Sequence, residues 1–266
     1  MTSVDVLVPT YGRPAALAAT LATVAAQTVP GLRLVVSDQT EGDLGGLGAE
    51  ARAVLRLLAA RGHQVEVHRH LPRRGLAEHR QFLLSQTRAP YALFLDDDVL
   101  IEPDLVERLL TAIGTERCGF VGSAVLGLSY DGDVRPEEEH IELWDGPVMP
   151  EDVRPGTPAW DRYRLHNAAN LWHVQRRLGI PTERQRVYKV AWVGGCVLYD
   201  VDKLRRAGGY AFWSDLPPSH CGEDVLAQLR VMARFGGCGL IPSGAYHQEI
   251  PTTVPDRAAD APLLLR

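Results

Sequence analysis

The sequence predicts an α/β fold in which helices flank a mostly parallel central sheet. Three observations carry that reading. Strand-like and helix-like segments alternate through the first half of the chain, the pattern of strands joined by crossover helices. The strand-like segments are short, apolar and β-branched, as strands buried on both faces are. The balance of 45% hydrophobic and 23% charged residues over 266 positions is that of a soluble globular chain.

The elements follow in order. "VDVLVP" opens as a buried strand. Pro14 suits the first turn of a helix with Leu17, Leu21 and Val24 on one face. "LRLVVSD" is the second strand. After it come a glycine-rich loop (Glu41 to Gly48) and a helix near Ala49 to Arg61 that Gly62 stops. "QVEVH" alternates as a short strand. A helix over Leu76 to Gln86 leads into the buried strand "YALFL". Glu102-Pro103 opens the next helix, with Leu105, Leu109 and Ile113 inward and Gly114 as its stop. "GFVGSAVLG" is one more strand.

The second half differs. Residues 129–190 are rich in Pro, Arg, Glu and aromatics, and all five tryptophans lie between 144 and 213. "YKVAWVGGCVLYD" returns to the core as a strand, and "VDKLRRAGG" is a short helix with a glycine stop. "GEDVLAQLRVMARFGG" is a helix with Glu223 and Asp224 in its first turn, and "CGLIPSGAYHQEI" closes with a short strand and His247. No repeat or low-complexity linker divides the chain, so residues 1–266 form one domain with a boundary of character near 128/129 and a tail over 251–266. The three-proline loop around Asp145 to Thr157 is an expected lid.

Charge and targeting narrow the function. A net charge of −5 gives no general affinity for nucleic acid or anionic membrane. No signal peptide is visible, and the run Ala15 to Ala26 is too short and too rich in Ala and Thr to span a bilayer. Cys118, Cys196, Cys221 and Cys238 lack CxxC spacing and read as reduced thiols of a cytoplasmic protein.

In open α/β sheets, ligands bind beyond the carboxyl ends of the strands. Asp38, the run Asp96 to Asp98 and the turn Thr10 to Arg13 all sit at such ends. Three consecutive aspartates after a buried strand repel one another unless a cation joins them. Hard dications take one or two carboxylates and complete their shell with water and phosphate oxygens. An extended chain would point Asp96 and Asp98 to one side and Asp97 to the other. A solvated turn is the plainer alternative. A haloacid-dehalogenase-like phosphatase also carries Asp-x-Asp after a strand, but there Thr or Val follows where this chain has Leu100, and the motif lies on the first strand.

Taken together, "VLVPTYGRP", "LRLVVSDQT", "RRGLAEHRQFLLSQTRAPYALFLDDDV", "WVGGCVLYDVDKLRRAGGY", "GEDVLAQLRVMARFGG" and "SGAYH" resemble, in order and spacing, a glycosyltransferase of family 2 with the GT-A fold. The resemblance covers about residues 4–250, with Gln81 in place of the family's usual Asn. It implies a nucleotide-sugar-binding half to about residue 128 and an acceptor-binding half over about 129–250. It implies that Thr10, Tyr11 and Arg13 line the nucleotide pocket, that Asp38 contacts the base, and that Asp96 sits by ribose or base, with Asp97 beside it. Arg80 would approach the diphosphate. Asp98 would ligate Mn²⁺ or Mg²⁺, with His247 helping to hold the metal or the diphosphate; imidazole is a ligand Mn²⁺ accepts.

The implied reaction is inverting transfer of a sugar, UDP-linked by preference, to a saccharide, natural-product or lipid-linked acceptor. It needs a base, and Asp224 is the candidate, with Glu223 orienting it. Acids in a first helical turn also serve simply to complement the dipole, which would lower their pKa. Trp192 and Trp213 are acceptor-binding candidates because flat rings cover the apolar face of a sugar. Gly194 and Gly195 would let donor or acceptor approach the backbone closely. A non-catalytic sugar-nucleotide-binding protein of the same fold is the competing class, and a homodimer is an open assembly. A nucleotidyltransferase would need a basic, glycine-rich first loop, which "VPTYGRPAAL" lacks.

Overall fold

The computed structural model describes residues 4–42 and 46–265. Residues 43–45 of the expected glycine-rich loop lie outside the described residues. Ten strands and eight α-helices alternate along the described chain. They are β1 (Val4–Thr10), α1 (Pro14–Ala25), β2 (Arg33–Asp38), α2 (Gly48–Ala60), β3 (Gln64–Arg69), α3 (Leu76–Ser85), β4 (Tyr91–Leu95), β5 (Val99–Ile101), α4 (Leu105–Glu116), β6 (Phe120–Gly122), α5 (Asn170–Leu178), β7 (Arg186–Tyr188), β8 (Cys196–Asp200), α6 (Val201–Arg206), α7 (Glu223–Phe235), β9 (Gly237–Ile241), β10 (Ala245–His247) and α8 (Ala261–Leu264).

Eight strands form one sheet in the order β3-β2-β1-β4-β8-β6-β9-β7, and β5 pairs with β10 apart from it. Strands β1 to β4 are mutually parallel, with Thr10 opposite Asp38. The second half enters in mixed directions: β8 runs antiparallel between β4 and β6, while β9 lies parallel to β6. β1 is buried along its whole length. Its Val4, Val6 and Val8 join the core under α1, α2 and α4, while Leu7 faces the opposite core under α3 and α7. This period-two sorting is how one apolar strand serves two layers.

Most of the expected elements form, with adjusted ends. The helix expected to stop at Gly114 runs through it to Glu116 and is closed by Arg117 in the left-handed region, φ 52°. Its amide donates to the Ile113 carbonyl at 2.9 Å, so a hydrogen bond does the work assigned to glycine flexibility. "GFVGSAVLG" is a strand over Phe120–Gly122, and its Leu126 makes an isolated bridge to Tyr246. The loop 145–157 is no cover for the strand ends. Val148 and Val153 are buried, and Glu151 N donates to Met232 O at 3.1 Å, which seats the loop against α7.

No helix of the described residues is long and apolar enough to cross a membrane. All four cysteines are free.

Candidate active site

Two cavities open at the carboxyl ends of the parallel strands. The larger, about 710 Å³, is lined by the β1 turn (Thr10, Tyr11, Arg13), the three aspartates, His247 and residues 252–257. The smaller, about 430 Å³, is lined by Arg80, Trp160, Trp192, Gly194, Glu223 and Asp224. Leu76, Asp96, Thr252, Val254 and Arg257 belong to both walls.

The aspartates do not continue β4 as an extended chain. A turn follows Leu95, with Val99 N donating to Asp96 O at 3.3 Å, so the expected alternation fails. Asp97 and Asp98 instead share one guanidinium: Arg13 Nη1 lies 3.3 Å from Asp97 Oδ1 and 2.7 Å from Asp98 Oδ2. Thr10 Oγ1 also donates to Asp97 Oδ2 at 2.6 Å. Burial, with the neighbouring Asp98 and Asp96 charges adding to it, pushes the Asp97 carboxyl up to about 6, although Thr10 and Arg13 pull the other way. Burial and the Asp96 charge also raise Asp98, against the pull of His247 and Arg13.

His247 reaches this cluster through a ladder. β10 pairs antiparallel with β5 so that His247 faces Val99, the residue after Asp98. Its Nε2 lies 3.6 Å from Asp98 Oδ2. A carboxylate oxygen and an imidazole are donor types that Mn²⁺ and Mg²⁺ accept. His247 Nδ1, however, accepts from Glu249 N at 2.7 Å, so the neutral ring carries its proton on Nε2 and would have to move it to coordinate there. The same Asp98 oxygen is already met by the Arg13 cation, so a dication bound at Asp98 would share that carboxylate with the guanidinium. No group of three or more His, Cys, Asp or Glu side chains forms a closed metal cage among the described residues.

Asp38 is buried and lines neither cavity; Gln39 takes its place on the wall of the larger one. Asp38 Oδ1 accepts from Thr40 N at 2.8 Å, and Thr40 Oγ1 accepts from Gly12 N at 2.8 Å. It therefore braces the β1 turn from behind. Tyr11 is sandwiched from outside by Arg73, whose guanidinium carbon lies 3.5 Å from the ring centroid.

Arg80 is buried, with Nε donating to Glu223 Oε1 and Nη2 to Asp96 Oδ1, each at 2.9 Å. The guanidinium expected near a diphosphate is thus committed to two carboxylates across 143 residues. A second tie runs beside it: Ala77 N donates to His220 Nε2 at 3.0 Å, capping α3 from the loop that precedes α7. Gly75 makes room, because a Cβ there would stand 2.5 Å from His220 Cε1, at φ 101°. Gln81, in the place of the family Asn, accepts from Tyr210 N at 2.9 Å and locks the same loop region.

With Glu223 neutralised, Asp224 is the unpaired acid of α7. Its Oδ1 accepts only from its neighbour Val225 N, at 2.9 Å. Burial and the Glu223 charge raise its carboxyl to about 7, against the pull of Arg80, so it does not fall as expected for an acid in a first helical turn.

Trp192 stacks on Tyr163 at 5.2 Å and meets Trp160 at 4.7 Å, and the two tryptophans line the cavity that also holds Asp224. Gln228 bonds both the amide and the carbonyl of Val193, at 2.8 and 2.7 Å, pinning this wall to α7. Gly194 lines the cavity, and Gly195 backs Asp96, whose amide donates to its carbonyl at 2.8 Å. Trp213 lines neither cavity; it packs against the core under α3 and α7.

The tail over 252–257 and residues 260 and 262 line the cavities, which sequence reasoning missed. The segment has no periodicity to mark it. Its place is set by backbone pairing: Cys221 N donates to Ala259 O and Ala261 N to Cys221 O, both at 2.9 Å.

The sequence model for "Glycosyl transferase family 2" matches residues 5–175, more than half the chain. No curated protein matches the chain at a significant level. Among solved structures, TarS of S. aureus aligns with TM-score 0.58 at 14% identity, over 93% of this chain and 36% of that one. The mannosyltransferase PcManGT from Pyrobaculum calidifontis, in complex with GDP-Man and Mn²⁺, aligns with TM-score 0.58 at 17% identity, over 95% and 58%. TarS 1-349 in complex with UDP-GlcNAc gives 0.57 at 14%, over 96% and 60%. The chain thus spans between about a third and three fifths of the length of these structures, and their likeness shows the fold, which is GT-A.

Proposed function

The chain belongs to glycosyl transferase family 2, and from that premise we propose that it is an inverting transferase moving a sugar from a nucleotide-diphosphate donor to a hydroxyl- or amine-bearing acceptor. The observation that supports this best is the pair of cavities with Asp96 as common wall, one ending on Asp98 and His247, the other on Asp224. The donor takes the larger cavity, with its base near Tyr11 and its diphosphate toward Asp98 and His247. Asp98 and His247 would hold Mn²⁺ or Mg²⁺, which would supply Lewis-acid stabilisation of the leaving diphosphate.

Asp224 takes the proton of the acceptor as the new bond to the anomeric carbon forms. The bond from that carbon to the diphosphate oxygen breaks on the opposite face, and its electron pair leaves with the diphosphate. A carboxyl held near 7 is matched to proton transfer at neutral pH. Arg80 cancels the Glu223 charge and orients its helix turn. Trp192 and Trp160 receive the acceptor ring, which makes a saccharide or ring-bearing natural product the fitting acceptor. UDP is the favoured nucleotide. The complexes with UDP-GlcNAc and GDP-Man among its structural neighbours support a nucleotide sugar without choosing the base. Free thiols fit the reducing cytoplasm.

The test is a panel of nucleotide sugars with Mn²⁺, read by thermal shift and by release of nucleoside diphosphate. We expect one donor to raise Tm and to turn over, and Asp98→Ala or EDTA to abolish turnover. Undiminished turnover in Asp98→Ala with EDTA would sink the metal mechanism.

A further inference from the structure

The two cavities pose a question of charge, because most of their arginines are already engaged. Arg80 lies buried between Asp96 and Glu223. Arg13 holds Asp97 and Asp98 through Nη1 and donates to the Pro251 carbonyl through Nη2. Arg73 is laid over the Tyr11 ring.

Arg257 differs from all three. It is exposed, lines both cavities, and makes no ion pair among the described residues. Its backbone is nonetheless placed. Ala258 N donates to Asp256 Oδ1 at 3.0 Å, and Ala259 O is tied to Cys221 N at 2.9 Å, beside the turn that starts α7.

We propose that Arg257, carried on the C-terminal segment, grips the diphosphate of the nucleotide donor where the two cavities meet. The proposal rests on the donor reading above. A guanidinium fork matches two phosphate oxygens at once, and charge-assisted pairs of this kind are the strong ones. Negative charge grows on the diphosphate as its bond to the sugar breaks, so a cation that meets it there also favours the transition state. The position suits this role: one wall residue touches both the leaving group and the edge of the acceptor cavity.

The experiment is calorimetric titration of the full chain, in Mn²⁺, with UDP, GDP, uridine and guanosine. Arg257→Ala should bind the preferred nucleoside diphosphate about tenfold more weakly, and the matching nucleoside within about twofold of wild type. Arg257→Lys should recover part of the loss, and Arg257→Gln should not. The residue is exposed, so an unchanged Tm in buffer separates lost binding from lost folding. Equal diphosphate affinity in wild type and Arg257→Ala overturns the proposal and leaves the donor reading standing. A wild-type chain that binds neither UDP nor GDP overturns both.

Discussion

Two pairs of adjacent acids face the cavities, and the fold treats them oppositely. Asp97 and Asp98 share one cation, Arg13, with His247 close by. Glu223 and Asp224 do not share: Glu223 takes Arg80, and Asp224 has only a backbone amide from its own turn. The side chains are chemically alike, so the difference comes from which cation the topology delivers. The first pair shares a cation; the second leaves Asp224 without an ion-pair partner among the described residues, its carboxyl raised to about 7.

The sharpest way to break this contrast is Asp224→Asn. With the base gone, kcat should fall on the order of 10²–10⁴-fold, while nucleoside diphosphate affinity in Mn²⁺ stays at the wild-type value. A loss smaller than tenfold would return Asp224 to the role of a helix-end acid.

Glu223→Gln tests the division of labour more gently. Transfer needs Asp224 ionised, so kcat should rise with pH through about 7 in wild type. Removing the Glu223 charge stabilises the Asp224 anion, and an Arg80 left with Asp96 as its remaining carboxylate partner does so further. The acidic limb should therefore move to lower pH, by about one unit. A limb that stays in place or moves upward would show that another group sets it.

The smallest expected effects compare two tryptophans. Trp192→Ala should raise the acceptor KM about tenfold, the scale of one lost aromatic contact, with the donor KM unchanged. Trp213→Ala should leave both KM values within about twofold. Equal responses would mean that the aromatic wall is not where the acceptor lies.

The same contrast separates what was legible in the sequence from what was not. β1, β2 and β4 could be read because strands buried on both faces are continuous apolar runs, and their polar ends marked the cavity rim. Asp98 and His247 were nameable as partners through family resemblance, and the β5–β10 ladder supplies the physical reason. The commitment of Arg80 to Glu223 spans 143 residues, and nothing local announces such a pair. The antiparallel entry of β8 was equally hidden, because an apolar run does not encode the direction of its neighbour. Asp38 has a role that its place at a strand end did not announce: it holds a turn through Thr40 N. The tail was read as an appendage because it lacks hydrophobic period, yet its placement depends on backbone bonds to Cys221.

That anchor has a practical use. Cys221 is half-buried on the rim of the smaller cavity, whereas Cys118, Cys196 and Cys238 are all buried. A maleimide dye would therefore label one position, slowly at neutral pH because burial raises the thiol pKa. The result would be a fluorescent reporter beside Asp224, obtained without engineering a single cysteine in or out.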